Sequence, residues 1–336
     1  MTMRASVVEY CESIGTDPML VQGAGGNVSW KDNDKLWVKA SGTWLADAAE
    51  KDIFVSVDLT HLNTAIERGD FSVTPKLHSE SNLRPSIETL LHALMPHRVV
   101  VHLHAIEILT HLVRDNCQTS FEQLLDDSVS WAIVDYHKPG AGLASAINDA
   151  LLKMPSANVI FLKNHGVVIG GVDVTEVNHI LSILTTALHT TPSTIRNKSQ
   201  SAPSIILDEF NQYEPVRDSN VQNLALNMEL FNRLGSDWAL YPDHVVFLGA
   251  KVYQFNGWED YKKEMRHHNE QPELVFIFGE GVFVKPTFNK SKVAQLQCYY
   301  DVLSRQEKDN SLNSLSSNQV EELLNWDAEK FRQSIQ

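Results

Sequence analysis

Cysteine is scarce in this chain of 336 residues. Cys11, Cys117 and Cys298 are odd in number, far apart and free of any CxxC spacing, which argues against a disulfide framework and for a reducing compartment. Long apolar runs are also missing: none approaches the roughly 20 residues that cross a bilayer. The first stretch, MTMRASVVEYCESIG, meets Glu9 and Glu12 without an apolar core, so a signal peptide is not expected. Positive charge is in deficit, with 28 Lys and Arg against 42 Asp and Glu and a formal net charge of -14. Nucleic acid and anionic membrane surfaces would be repelled, so neither is expected as a partner, and the expected location is cytoplasmic. A small anionic substrate stays compatible if local cations or a metal receive it.

What is present is ordinary for a globular protein: 43% hydrophobic and 21% charged residues. The length suggests about two domains. The densest chemistry lies at residues 85–105, PSIETLLHALMPHRVVVHLHA. Its second half reads as a buried strand that runs into His102 and His104. Side chains two apart on a strand share a face, so two imidazoles project together and can chelate one ion. Its first half reads as a helix with Ser86 at the N-cap, Glu88 in the first turn and Leu90, Leu91 and Leu94 on the apolar side. Glu88 and His92, four apart, would share a helix face.

The rest of the chain is taken in order. Residues 3–14 read as a helix, 21–30 as a glycine-rich turn and strand, and 35–40 as the second arm of a hairpin that ends in Ser41-Gly42-Thr43. A strand at 53–57 precedes a polar, irregular run to residue 76. Beyond His104 a helix to about 114, a strand at 131–134, a helix at 143–153 and a second buried strand at 158–164 are expected, the last meeting His165-Gly166. A strand at 167–169 and a helix at 175–188 follow. Residues 191–214 turn rich in Ser, Thr, Pro and Asn and read as a linker or surface insertion. In 215–306 a helix at 221–234, strands at 244–249, 251–255, 274–278 and 282–285, and a helix at 291–304 make a smaller α/β unit of unassigned role. Residues 307–336 read as a loop and a last helix starting at Asn318, with Glu321 completing a capping-box-like pattern.

An isolated HxH pair is more often a pair of strand histidines satisfied by polar neighbours than a chelating pair. The combination carries more: two apolar strands each deliver histidine at an end, and a carboxylate lies just upstream. Three imidazoles and a carboxylate match a zinc ligand set. His92 reads as a packed or supporting residue, because a helix does not easily bring Glu88 and His92 to one ion already holding three imidazoles. His267-His268, in a charged run, reads as solvated, the cysteines as core fillers, and Lys39 equally as a solvated strand residue or an anion contact.

Gly25-Gly26-Asn27-Val28-Ser29, Ala40-Ser41-Gly42-Thr43, Ser86-Ile87-Glu88-Thr89-Leu90-Leu91-His92, His102-Leu103-His104 and Asn164-His165-Gly166 occur in an order that resembles the class II aldolase/adducin family. The resemblance covers residues 1–190. It looks most like the aldolase half of bifunctional proteins that join a rhamnulose-phosphate-aldolase-like unit to a short-chain dehydrogenase, although no dehydrogenase Gly-rich fingerprint occurs in these residues. It implies an α/β fold of three layers, α/β/α, around a central, mainly antiparallel sheet, and a homotetramer with active sites at subunit contacts. It further implies that His102, His104 and His165 hold zinc or another divalent ion such as manganese or cobalt, and that Glu88 is the catalytic acid/base. Gly26, Asn27, Ser41, Gly42 and Ser86 fall on loops that receive the phosphate of a sugar phosphate. Two departures matter. Ile87 stands where fuculose-phosphate aldolase has serine, and the tyrosine that enzyme takes from a neighbouring subunit has no clear counterpart, Tyr136 being in the wrong local context.

The chemistry so implied is cleavage or formation of a C–C bond in a ketose, possibly a ketose 1-phosphate, through a metal-stabilised enediolate. A 4-epimerase, a dehydratase or a decarboxylase would reuse the same ligands. Adducin-like binding proteins lack the metal histidines, so the three present here favour an enzyme. A metal-dependent hydrolase is disfavoured by the motif order.

Overall fold

Hydrophobic patterning is realised as two sheets. The structure, a computed structural model, describes residues 2–193, 213–266 and 270–327. The expected linker therefore lies largely outside the described residues, as do His267 and His268. In the first sheet β1 (Asn27–Asp32), β2 (Lys35–Lys39), β3 (Phe54–Asp58), β4 (Val99–Leu103), β5 (Trp131–Val134), β6 (Val159–Leu162) and β7 (Gly166–Gly171) lie in the order β3-β2-β1-β4-β7-β6-β5. All neighbours are antiparallel except β5 and β6, which are parallel.

The central strand shows why the sheet has helices on both faces. Val99, Val101 and Leu103 of β4 pack with α1 (Met3–Gly15) and with α7 (Val174–Ala187), whereas Val100 packs with Leu91 and Met95 beside α3 (Thr89–Leu94) and with α6 (Ala141–Lys153). None of these β4 side chains is accessible to solvent. Burial of each contributes about 1.5–3 kcal/mol, and a one-residue slip of register would exchange the two faces. The expected three-layer α/β/α arrangement around a mainly antiparallel sheet is what the chain forms.

The polar run after β3, where irregular chain is expected, contains a helix, α2 (Leu59–Glu67). Asp58 caps it by accepting the His61 N–H at 2.8 Å, and Leu59, Leu62 and Ala65 bury at helical spacing. Two further helices, α4 (Ile106–Leu112) and α5 (Cys117–Leu124), follow β4.

In the C-terminal unit a second sheet runs β8-β11-β10-β9, from β8 (Glu214–Pro215), β9 (Gln254–Phe255), β10 (Leu274–Ile277) and β11 (Gly281–Val284). The expected helix at 221–234 is two pieces, α8 (Asn223–Leu226) and α9 (Met228–Leu234). They break at Asn227, whose extended backbone lets its side chain cap α9 at Leu230 N–H. The expected strand at 244–249 is instead α10 (Pro242–Leu248), with proline at its start and Asp243 in its first turn. All seven residues are buried, so no polar face marks the helical period. The expected strand at 251–255 shrinks to β9. The unit adds α11 (Trp258–Met265), α12 (Lys290–Ser304) and α13 (Ser317–Leu324). The last starts at a capping box of Ser316 and Gln319 rather than at Asn318.

The two units share a core. Ile106, Leu109 and Val113 belong to the same hydrophobic cluster as Leu224, Leu240, Val245, Leu296 and Leu323. Cys11, Cys117 and Cys298 are buried free thiols. Among the described residues no helix is long and apolar enough to cross a membrane.

Candidate metal centre

The end of β4 and the turn between β6 and β7 meet because β4 pairs with β7, His102 opposite Val168 and Leu103 opposite Val167. That register brings His102, His104 and His165 together, with ring centroids 4.8–5.3 Å apart. One nitrogen from each lies within 4.8 Å of the others. His102 Nε2 and His104 Nε2 are 3.2 Å apart, close to the roughly 3.4 Å that two ligands of one tetrahedral zinc would show. All three rings are buried, His102 completely. Burial pushes the His102 imidazole below its ordinary pKa against the opposing pull of Glu88, which keeps it neutral and able to ligate.

Glu88 completes the cluster. Its Oε2 is 3.5 Å from His102 Nε2 and its Oε1 is 3.4 Å from His165 Nε2. Asn27 Nδ2 donates to Oε2 at 2.8 Å. Among the described residues Oε1 is buried without a hydrogen-bond partner. An acceptor left so is costly, and a cation between the rings would satisfy it. The donor set of three imidazoles and a carboxylate fits zinc, manganese or cobalt.

Local structure differs from the expectation at one point. Glu88 occupies the N-cap of α3 rather than its first turn, and Ser86 lies in the preceding turn, where its Oγ accepts the Glu88 N–H at 3.2 Å. The cause is a bridge between Ala40 and Pro85, with the Ser86 N–H bonded to Lys39 O at 3.2 Å, which holds the chain against β2 before the helix can start. His92 turns to Ser29, with Nδ1 and Oγ 2.8 Å apart, and burial pushes its pKa down to about 3. It is a packed residue.

Gly26, Asn27, Ser41, Gly42, Ser86, Glu88, His104 and His165 line one pocket together with Ile87. Gly26 has φ 68, and a Cβ there would sit 3.0 Å from His102 O, so glycine lets the loop approach the strand end. Lys39 lines the pocket as well and is not solvated. It is 1% exposed, and its Nζ donates to Ala24 O at 3.1 Å and Thr43 O at 2.6 Å. Its charge is thereby fixed between the two glycine-bearing loops. Tyr136 packs at the edge of the C-terminal cluster. A wider groove of 910 Å³ runs along β5 and α6. It shares no lining residue with the imidazole cluster, so its size does not make it the chemical site.

The sequence reading missed Asp243. It is 3% exposed, and its Oδ2 is 3.4 Å from His104 Nδ1. The available signal was Tyr241-Pro242-Asp243, a proline at a helix start followed by a first-turn carboxylate.

Residues 5–191 match the family model described as the Class II Aldolase and Adducin N-terminal domain. The uncharacterized oxidoreductase YuxG of Bacillus subtilis (strain 168) is 29% identical over 227 residues, 63% of this chain and 30% of the relative. The chain therefore spans less than a third of that relative's length. Among solved structures, the N-terminal class II aldolase domain of a protein from Thermoplasma acidophilum is 25% identical, with a TM-score of 0.47, over 55% of this chain and 92% of the other. A sugar-phosphate aldolase from Thermotoga maritima is 17% identical, with a TM-score of 0.44, over 55% and 93%.

Proposed function

The chain belongs to the class II aldolase and adducin family, and on that premise we propose that it is a metal-dependent lyase that cleaves or forms a C–C bond of a ketose or ketose phosphate. The observation that carries the reading is Glu88, a buried carboxylate set against two converging imidazoles and held from behind by Asn27. A binding protein has no use for so costly a burial.

His102, His104 and His165 would hold zinc or a similar divalent ion. Such an ion supplies Lewis acidity for the negative charge that builds on the substrate's carbonyl oxygen. Glu88 moves the proton: its carboxylate takes the C4 hydroxyl proton as the C3–C4 bond breaks and the aldehyde leaves, and the carboxyl group so formed protonates the carbon left with the electron pair. In the synthetic direction the carboxylate removes that proton. Asn27 anchors Oε2, so Oε1 would face the ion before substrate binds and be released to carry the proton once substrate is bound.

Gly26, Asn27, Ser41, Gly42 and Ser86 would receive the substrate's distal group. Buried Lys39 supplies positive charge there, which favours an anionic or strongly polar group, although Ile87 removes one hydroxyl from the wall. The chain would act in the cytoplasm as a homotetramer. A 4-epimerase, dehydratase or decarboxylase would use the same residues. Assays of ketose phosphates and unphosphorylated aldols for aldehyde release, on wild type and Ile87→Ser, test the reading. Aldehyde from any of these supports a lyase. Turnover that yields only an epimer or a dehydrated product replaces it.

A further inference from the structure

His104 is gripped at both ends. Its Nε2 faces His102 Nε2 at 3.2 Å, inside the imidazole cluster, while its Nδ1 faces Asp243 Oδ2 at 3.4 Å. Asp243 does not come from the three-layer unit. It stands in the first turn of α10, in the C-terminal unit, where Gln295 of α12 donates Nε2 to the same Oδ2 at 3.3 Å. Helix α10 is anchored in turn. Every residue in it is buried, and the adjoining Tyr241 donates its hydroxyl to Cys298 Sγ of α12 at 3.2 Å.

The approach of the two units at this point is close. A Cβ on Gly25 would lie 3.2 Å from His104 Nδ1 and 3.4 Å from Asp243 Oδ2. His102 has a parallel arrangement, with Nδ1 at 3.1 Å from Val167 O. Two of the three imidazoles therefore present Nδ1 to an oxygen acceptor and Nε2 to the cluster.

We infer that Asp243 is a positioning residue of the metal centre and that the C-terminal unit thereby completes a site whose ligands all lie in the three-layer unit. The inference rests on the metal reading above. The carboxylate accepts the Nδ1–H of His104, selects the tautomer whose Nε2 lone pair points into the cluster and fixes the plane of the ring. Gln295 keeps the carboxylate in place. A catalytic part for Asp243 is not needed, since Glu88 already supplies the proton carrier.

The test uses the full chain. Zinc affinity is measured by competition with a chromophoric chelator for wild type and Asp243→Asn, with the melting temperature of each metal-free protein as a control on folding. Asp243→Asn is expected to bind zinc about 10–100-fold more weakly at an unchanged metal-free melting temperature, and to shift the visible absorption of the cobalt-loaded protein. Gln295→Met removes one donor to the carboxylate and is expected to weaken zinc several-fold; it carries the test if Asp243→Asn does not fold. Wild-type affinity in the folded variants overturns the inference. So does a raised KM with unchanged metal affinity, which would make Asp243 a substrate contact. A wild-type chain that takes up no divalent ion overturns the metal reading, and this inference with it.

Discussion

Asn27 at the start of β1 and Glu88 at the N-cap of α3 are joined by a 2.8 Å hydrogen bond from Nδ2 to Oε2. The carboxylate is thereby oriented by the sheet and not by its own helix. In Glu88→Gln the amide can occupy the same place but cannot exchange the proton. Turnover is expected to fall by about 100-fold or more while bound metal stays near wild-type level. His102→Ala is expected to lose both. Steady-state rates paired with metal analysis check this, and full activity in Glu88→Gln contradicts the role assigned to it.

Gly166 follows the third histidine, and a Cβ there would sit 2.4 Å from Leu103 O, 3.0 Å from His104 Cδ2 and 3.2 Å from His102 Cε1. The first contact is backbone, so the strand pair must open to admit a methyl group. Gly166→Ala is expected to cost about 1–3 kcal/mol and to weaken metal binding, because both imidazoles ride on the strand that moves. Urea midpoints and zinc titration check it. Unchanged values for both would contradict the packing described.

Asn164 adopts φ 53 and donates Nδ2 to Leu240 O at 2.8 Å and to Asn313 O at 2.7 Å, tying the turn before His165 to the C-terminal unit. Asn164→Ala loses both bonds and keeps an unfavourable backbone, for an expected loss of about 2–4 kcal/mol. Asn164→Gly relieves the backbone strain but not the lost bonds, and falls between. Equal stability of the three proteins in urea contradicts the account.

Much of this was legible in the chain. Strands β4 and β6 announce themselves as apolar runs, and the shared direction of His102 and His104 follows from the strand period. The pairing of β4 with β7 brings His165 to His102, and motif order anticipates it better than local pattern does. Asp243 was not legible, because α10 is buried all round and its Val-Val-Phe-Leu run imitates a strand. Its place beside His104 is set by the packing of α10 on α12 and of α12 on α4. Lys39 was ambiguous for the same reason: the carbonyls of Ala24 and Thr43 that hold it belong to loops with no period. Helix α2, by contrast, is legible in residues 58–65, in the Asp58 cap and the helical spacing of Leu59, Leu62 and Ala65.

Burial pushes His244 from its ordinary 6.5 down to about 3, so it is neutral in the folded protein near neutrality. The unfolded imidazole takes up a proton below about 6.5. The unfolded chain therefore binds more protons as pH falls from 6.5 towards 3. Stability is complete above that window and declines through it, by up to ~1.4 kcal/mol per pH unit for this residue. His92, pushed to about 3, and His111, pushed to about 4, add slopes of the same sign. His244→Leu is expected to flatten the decline relative to wild type, whatever its effect at pH 7.5. Urea midpoints from pH 7.5 to 4.5 measure the slope, and an unchanged slope contradicts the buried neutral imidazole.

The central claim is that His102, His104 and His165 make one divalent-metal centre. Its most direct test is the metal content of the purified full chain, loaded with zinc and passed through a desalting column, beside His102→Ala treated identically. The account predicts one tightly held ion per chain in the wild type and none in the variant. A wild type that retains no ion, or a variant that retains as much, would contradict it.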